Sequence, residues 1–272
     1  MANIRLIKGR IKSAKNIAQI TKAMELVAAS KMKKAQLAAL AGKLYANKIH
    51  EMVMTLAAKT DATHHPLLVR PKKIIGKRLV VLISTNKGLC GGLNTNLFRF
   101  ALREKYIAKG CDMVVLGKKS IGMILGVGAS IKADFSDSVP FGSTVPALTE
   151  LVTNEYLGGN YDGVDILYNE FQSAMKQTPK VRTLLPLTIT GVDTAPSVPS
   201  GEFLIEPGVA EVLEALIPHY LENQIRDAIL QAEASEHSAR MVAMRAATDN
   251  ALSLMGDLTL VFNKARQEKI TY

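Results

Sequence analysis

The sequence predicts an α/β protein: a long antiparallel coiled coil of N- and C-terminal helices, plus a Rossmann-like three-layer α/β domain with a mostly parallel sheet. Three observations predict it. The first 59 residues hold no proline and only two glycines, Gly9 and Gly42, and their apolar residues recur every three and four positions. From 207 to 272 a similar period returns. Between them, strand-sized apolar runs alternate with amphipathic stretches, which is the pattern of βαβ units. The organisation expected is therefore 1–59 as one coiled-coil helix, 72–200 as the α/β domain, and 207–272 as the helix that pairs with 1–59.

In the first helix Ile4, Ile7, Ile11, Ala14, Ile17, Ile20, Met24 and Val27 are expected to form one apolar seam. About fifty helical residues at 1.5 Å each reach roughly 75 to 80 Å, past a globule on the order of 40 Å across. The helix must project, and its seam needs a partner. Residues 60–71, with His64, His65, Pro66 and Pro71, read as a connector; the His pair reads as solvated. Residues 78–84 form a continuous apolar run suited to a buried strand. The turn Thr85–Asn94 follows, then a helix through about Lys109. Strands are expected at 113–117, near 130–135, at 163–171 and at 181–187, with helices from Lys118 and over 146–158. Residues 190–201, rich in Pro, Ser and Gly, read as a loop.

The last helix is expected from Pro207 to about Lys269, with Pro207 in its first turn and a bend at Pro218. Its seam reads Val212, Leu216, Tyr220, Ile225, Ile229, Ala232, Ala239, Val242, Ala246, Leu254, Leu258, Val261 and Ala265. Two helices that both outreach the domain pack most economically on each other, in short, irregular heptads. Ala28, Ala29, Ala35, Ala38 and Ala39 would approach Ala232, Ala234, Ala239 and Ala243 closely. Met24, Met32, Met241, Met244 and Met255 read as seam filling.

Charge narrows the function. The net charge of +10 is local: residues 1–48 carry eleven Lys and Arg against Glu25 alone, and the remainder is neutral. Cys90 and Cys111 fit neither a disulfide scaffold nor a metal site, and read as thiols in a reducing compartment. No apolar run approaches the ~20 residues that span a bilayer. The basic start resembles a presequence, but the helical pattern continues unbroken, so it reads as mature protein. Strand, Gly-rich turn and helix at 78–109 have the geometry that cradles phosphates. Lys87, Gly88, Gly91 and Gly92 match neither Walker A nor G-x-G-x-x-G, however, and the glycines read as packing a tight turn. No catalytic, metal or cofactor constellation emerges.

Four stretches carry a resemblance. Lys15 to Met32 (KNIAQITKAMELVAASKM), Lys87 to Asn94 (KGLCGGLN), Ala234 to Asn250 (ASEHSARMVAMRAATDN) and Phe262 to Gln267 (FNKARQ) resemble, in order, stretches of the gamma subunit of F-type ATP synthase. The resemblance implies a central rotor shaft without bond chemistry of its own. Its coiled coil would stand inside a ring of alpha and beta subunits, with the epsilon subunit and the c-subunit ring held by the α/β domain. It would couple proton-driven rotation to the nucleotide states of beta, and meet the membrane only through the c-ring. Implied partner contacts are Lys22, Met24, Lys87, Arg240, Arg266 and Gln267, with Glu206 near the c-ring loops. The implied location is the cytoplasmic face of a bacterial inner membrane, or the matrix side of the mitochondrial one. The family's C-terminal helix normally runs on past Ile270-Thr271 into an apolar collar. The thiol-pair insert of chloroplast members is missing, so no light-linked redox switch is expected.

Two other classes compete. Eleven cations would attract nucleic acid strongly, but no aromatic precedes Tyr45 to stack on bases, and the bases read as surrounding the helix rather than forming one stripe. A nucleotide-dependent enzyme would have to use the Thr85–Asn94 turn.

Overall fold

The computed structural model describes residues 4–59, 66–68, 75–108, 111–187, 206 and 208–271. Helix α1 spans Ile4–Lys59 and the last helix, α5, spans Val209–Thr271. Between them lie β1 (Arg78–Ile83), α2 (Leu93–Arg103), β2 (Asp112–Leu116), α3 (Ile121–Val127), β3 (Ser130–Asp134), α4 (Val145–Leu157), β4 (Gly163–Phe171) and β5 (Gln177–Leu185). The sheet order is β3-β2-β1-β4-β5, parallel except for the β4–β5 hairpin.

Alternate residues of β1 supply two cores, as a doubly covered strand requires. Val80 and Leu82 join Leu97 and Ala101 of α2, Ile107, Met113 and Ile124 on one face. Leu79, Val81 and Ile83 join α4 on the other, together with Ile49, Val53 and Leu56 of α1 and Leu213, Ile217, Leu221 and Ile225 of α5. The base of the helix pair is thus one layer of the domain. Because the end of α1 meets the start of α5 there, the two run antiparallel.

The seam is narrower and more regular than the apolar period suggested. Buried on α1 are Ile7, Ala14, Ala18, Thr21, Ala28 and Ala35, an unbroken alternation of three and four with Ile11, Glu25 and Met32 half-buried between. On α5 the upper seam is Ala234, Met244, Thr248 and Ala251, continued by the half-buried Met255, Leu258, Phe262 and Ala265. Ile17, Ile20 and Val27, and likewise Leu254 and Val261, are about half exposed. The reason is steric. Small residues let the two axes approach, so Ala takes the seam and the larger aliphatics are left beside it.

Two boundaries also shift. Helix α2 stops at Arg103 rather than near Lys109. Lys105 turns back with φ 59°, and the Tyr106 and Ile107 amides donate to the Ala101 carbonyl, which buries Ile107 in the sheet core. Strand β5 begins at Gln177, because hairpin pairing from Phe171–Gln177 onward carries polar Thr178 and Lys180 into the ladder. Helix α5 stays helical across Pro218, which is exposed; so is Glu214, whose carbonyl loses its usual donor and faces water. Pro207, His64, His65 and the 190–201 loop lie outside the described residues. Among the described residues no helix is long and apolar enough to cross a membrane.

Candidate functional site

The elements that carry surface chemistry are the upper halves of α1 and α5. Side-chain contacts between α5 and the domain end near Arg240, so about thirty residues of each helix rise beyond, roughly 45 Å. On this projecting coil the residues order themselves around the seam. Leu6, Ile17, Ile20, Met24 and Val27 each directly precede a seam position, whereas Arg5, Lys8, Lys12, Lys15 and Lys22 each directly follow one. The first set therefore lies along one side of α1 and the second along the other. On the projecting part of α1 most cations lie on that second side, but Arg10, and lower down Lys31 and Lys34, each directly precede a seam position, so over residues 1–48 the bases do surround the helix as the sequence reading has it. Leu254 precedes Met255 and Val261 precedes Phe262 by the same rule. In an antiparallel pair, residues preceding the seam on both helices share one face. One flank thus carries the exposed aliphatics, interrupted by Arg10, Asp257 and Lys264, and on α1 the other flank carries most of the cations.

The sequence-derived contact residues fall in three environments. Lys22 is exposed and pairs with Glu25 at 3.0 Å, while Met24 is half-buried beside it. Arg266 and Gln267 are exposed near the end of α5, and Glu206 is exposed below its start. Lys87 has an exposed side chain, but its carbonyl faces inward. Arg240 is different: it is only 9% exposed, and its guanidinium works inside the chain. Nε donates to the Gly88 carbonyl (3.2 Å), and Nη2 to the Lys87 carbonyl (3.2 Å) and to Glu236 (2.7 Å). Nη1 lies 3.3 Å from His237 Nδ1. Because an arginine can only donate, Nδ1 must accept. Burial first, then Arg240 and Lys31, lower the His237 pKa to about 4, which keeps the ring neutral and able to accept there.

This clamp holds the turn after β1 against α5, and neighbouring bonds shape the turn. Asn94 Nδ2 donates to Thr85 Oγ1 (2.7 Å), and Thr85 Oγ1 donates to the Lys87 carbonyl (2.8 Å). Leu89 sits exposed at φ 63°, a conformation seldom taken by a side-chain-bearing residue. Gly117 opposite has φ 109°, and a Cβ there would lie 2.2 Å from the Ser84 carbonyl oxygen. The sheet order reverses between β1 and β4, the place where open α/β sheets bind ligands. Here Ala232, Glu233 and Glu236 of α5 close that crevice over Ser84, Thr85 and Asn169, leaving a void of about 10 Å³. Among the described residues this crevice leaves no room for a nucleotide between the sheet and α5. Among the described residues no three His, Cys, Asp or Glu side chains gather to hold a metal ion.

Known proteins share the sequence pattern and the fold. The family model described as ATP synthase matches residues 3–272. The gamma chain of Opitutus terrae ATP synthase is 43% identical, with 100% of this chain and 95% of that protein covered. Those of Dehalococcoides mccartyi and Chloroflexus aurantiacus are 42% and 37% identical over the same shares. The chain belongs to the ATP synthase gamma-chain family. A gamma chain is a structural stalk subunit and does not itself catalyse. In three dimensions it resembles the central stalk of the Tetrahymena thermophila mitochondrial ATP synthase (25% identity, TM-score 0.59, 84% of this chain and 99% of that one). It also shares the fold of a Euglena gracilis mitochondrial ATP synthase rotor chain (18% identity, TM-score 0.63, 98% of each). The quoted KGLCGGLN stretch is, in this gamma chain, the turn that Arg240 clamps. Sequence reading missed Glu236 and His237 as parts of that clamp. Their only signal was the i, i+3 and i+4 spacing to Arg240 on one helix face.

Proposed function

We propose that this chain is the rotating central shaft of a proton-driven ATP synthase. It turns with a ring of c subunits and drives the beta subunits of an alpha–beta head through their nucleotide states. What carries the reading is the projecting coil with unlike flanks. Such a shaft offers each surrounding subunit a different chemistry as it turns, and an asymmetric surface is what converts rotation into sequential conformational change. Lys22, Met24, Arg266 and Gln267 lie on the coil and meet the alpha and beta subunits. Lys87 meets the same head from the domain's upper rim. Glu206, at the opposite end of α5, faces the c-ring loops, and the epsilon subunit holds the α/β domain. Arg240 serves these contacts from within, by holding the Lys87 turn in place. The complex sits at the cytoplasmic face of a bacterial inner membrane, as the bacterial relatives favour, and this chain reaches the membrane only through the c-ring.

Deleting residues 4–30 removes the upper half of α1 but keeps Ile49, Val53 and Leu56 in the domain core. In membrane vesicles carrying the assembled complex, ATP hydrolysis should persist while ATP-driven proton transport is lost. Full coupled transport after this deletion would refute the proposal.

A further inference from the structure

Apart from the half-buried Glu25, which pairs with Lys22 on its own helix, the upper seam is apolar save for one pair. Thr21 and Thr248 are both buried, and their hydroxyl oxygens lie 2.7 Å apart across the helix boundary. Each hydroxyl also lies 2.9 Å from a carbonyl of its own helix, Thr21 from Ile17 and Thr248 from Met244. Thr21 Oγ1 also lies 3.2 Å from the Ala18 carbonyl, so four contacts share two protons. One hydroxyl donates to its own helix and accepts across the seam, and the other donates across. Either choice leaves the cross-seam bond made, so it persists whichever threonine donates.

Its neighbours discriminate poorly. With Thr21 opposite Thr248 in an antiparallel pair, Ala28 stands level with Met241, Ala14 with Met255 and Ile7 with Phe262. Sliding one helix by a heptad sets Ala14 against Thr248 and Thr21 against Met241. Apolar burial is non-directional and changes little; the hydroxyl pair is lost outright. A single polar pair in an apolar coil can fix register in this way. The domain anchors both helices at the base, but nothing else polar crosses the buried seam above Ala28 among the described residues. A load entering through one helix and leaving through the other shears this stretch along its axis, where a hydrogen bond resists and Ala–Met contact yields.

We infer that Thr21 and Thr248 are positioning residues that lock the register of the projecting coil and pass load between its helices during coupling. The second half of that statement rests on the shaft reading above; the first does not. The test uses full-length chain with Cys90→Ala and Cys111→Ala, assembled into the complex. A short bis-maleimide probes two cysteine pairs: A18C with A251C, level in this register, and A18C with M244C, level only after a one-heptad slip. With both threonines present, only the first pair should crosslink. In T21V/T248V the second should appear, with at least a twofold drop in protons moved per ATP hydrolysed. T21S/T248S, which keeps both hydroxyls, should restore both readouts. Exclusive in-register crosslinking in the valine variant would overturn the lock. Slipped crosslinks with undiminished proton transport would overturn the load role while leaving the shaft reading intact.

Discussion

His237 shows how one side chain can tie stability to acidity. Unfolded, it binds its proton near pH 6.5; folded, between Arg240 and Lys31, it holds out until about pH 4. Between those values the unfolded state of this residue carries more protons, so its contribution to stability falls as pH drops from 6.5 toward 4. Glu233, one turn away, pulls oppositely, since burial and then Glu236 raise its carboxyl. The contribution of His237 is therefore read as a difference. His237→Gln keeps a polar side chain without a titrating ring, and its denaturation midpoint should decline less than that of the native chain over this range. The bonds that Arg240 donates to the Lys87 and Gly88 carbonyls, by contrast, have acceptors that do not titrate and should hold at every pH in the window.

At the scale of the element, the seam decides what each helix can be. Ala28 is 2% exposed at a point where the axes come close. Ala28→Leu would lower intrinsic helix propensity only slightly, but it would overfill the contact. It should lower the unfolding free energy by about 1–3 kcal/mol, measured in urea. The same contest explains what the sequence made legible. Helices α1 and α5, the strands β1, β2 and β4, and the domain order follow from period and run length. The seam assignment did not, because Ile17, Ile20 and Val27 share the spacing of a seam while Ala18 and Thr21 carry little hydropathy. Size, not apolarity, chose between two stripes that differ by one position in the heptad. Likewise β5 starts in polar residues that only hairpin pairing places, and α2 stops where burying Ile107 favours a turn. Of the candidate contacts, the exposed Lys22, Lys87, Glu206, Arg266 and Gln267 lie where surface residues were expected. Arg240 does not: a charge on a helix gives no sign in sequence of a carbonyl pair 152 and 153 positions away.

For the whole molecule, the decisive relation is between the sheet and its own last helix. A Rossmann-like order leaves a crevice at the carboxyl ends of β1 and β4, and α5 fills it with Ala232, Glu233 and Glu236. Titrating the isolated chain with ATP in a calorimeter should therefore give no saturable heat at millimolar nucleotide. A stoichiometric isotherm would mean that α5 can leave the crevice. The filled crevice also turns a ligand-binding architecture into a mount: the helix that would open such a site instead extends from it as half of the coil.

Because the coil joins the first helix to the last, its halves are separated by the entire α/β domain in order of synthesis. An N-terminal strand of positive charge and bare aliphatics leaves the ribosome with its mate some two hundred codons behind. The domain's local βαβ contacts can close meanwhile, but the zipper waits for the final residues. Biogenesis of this protein is thus scheduled by its topology, and the nascent first helix is the stretch a chaperone has most reason to shield.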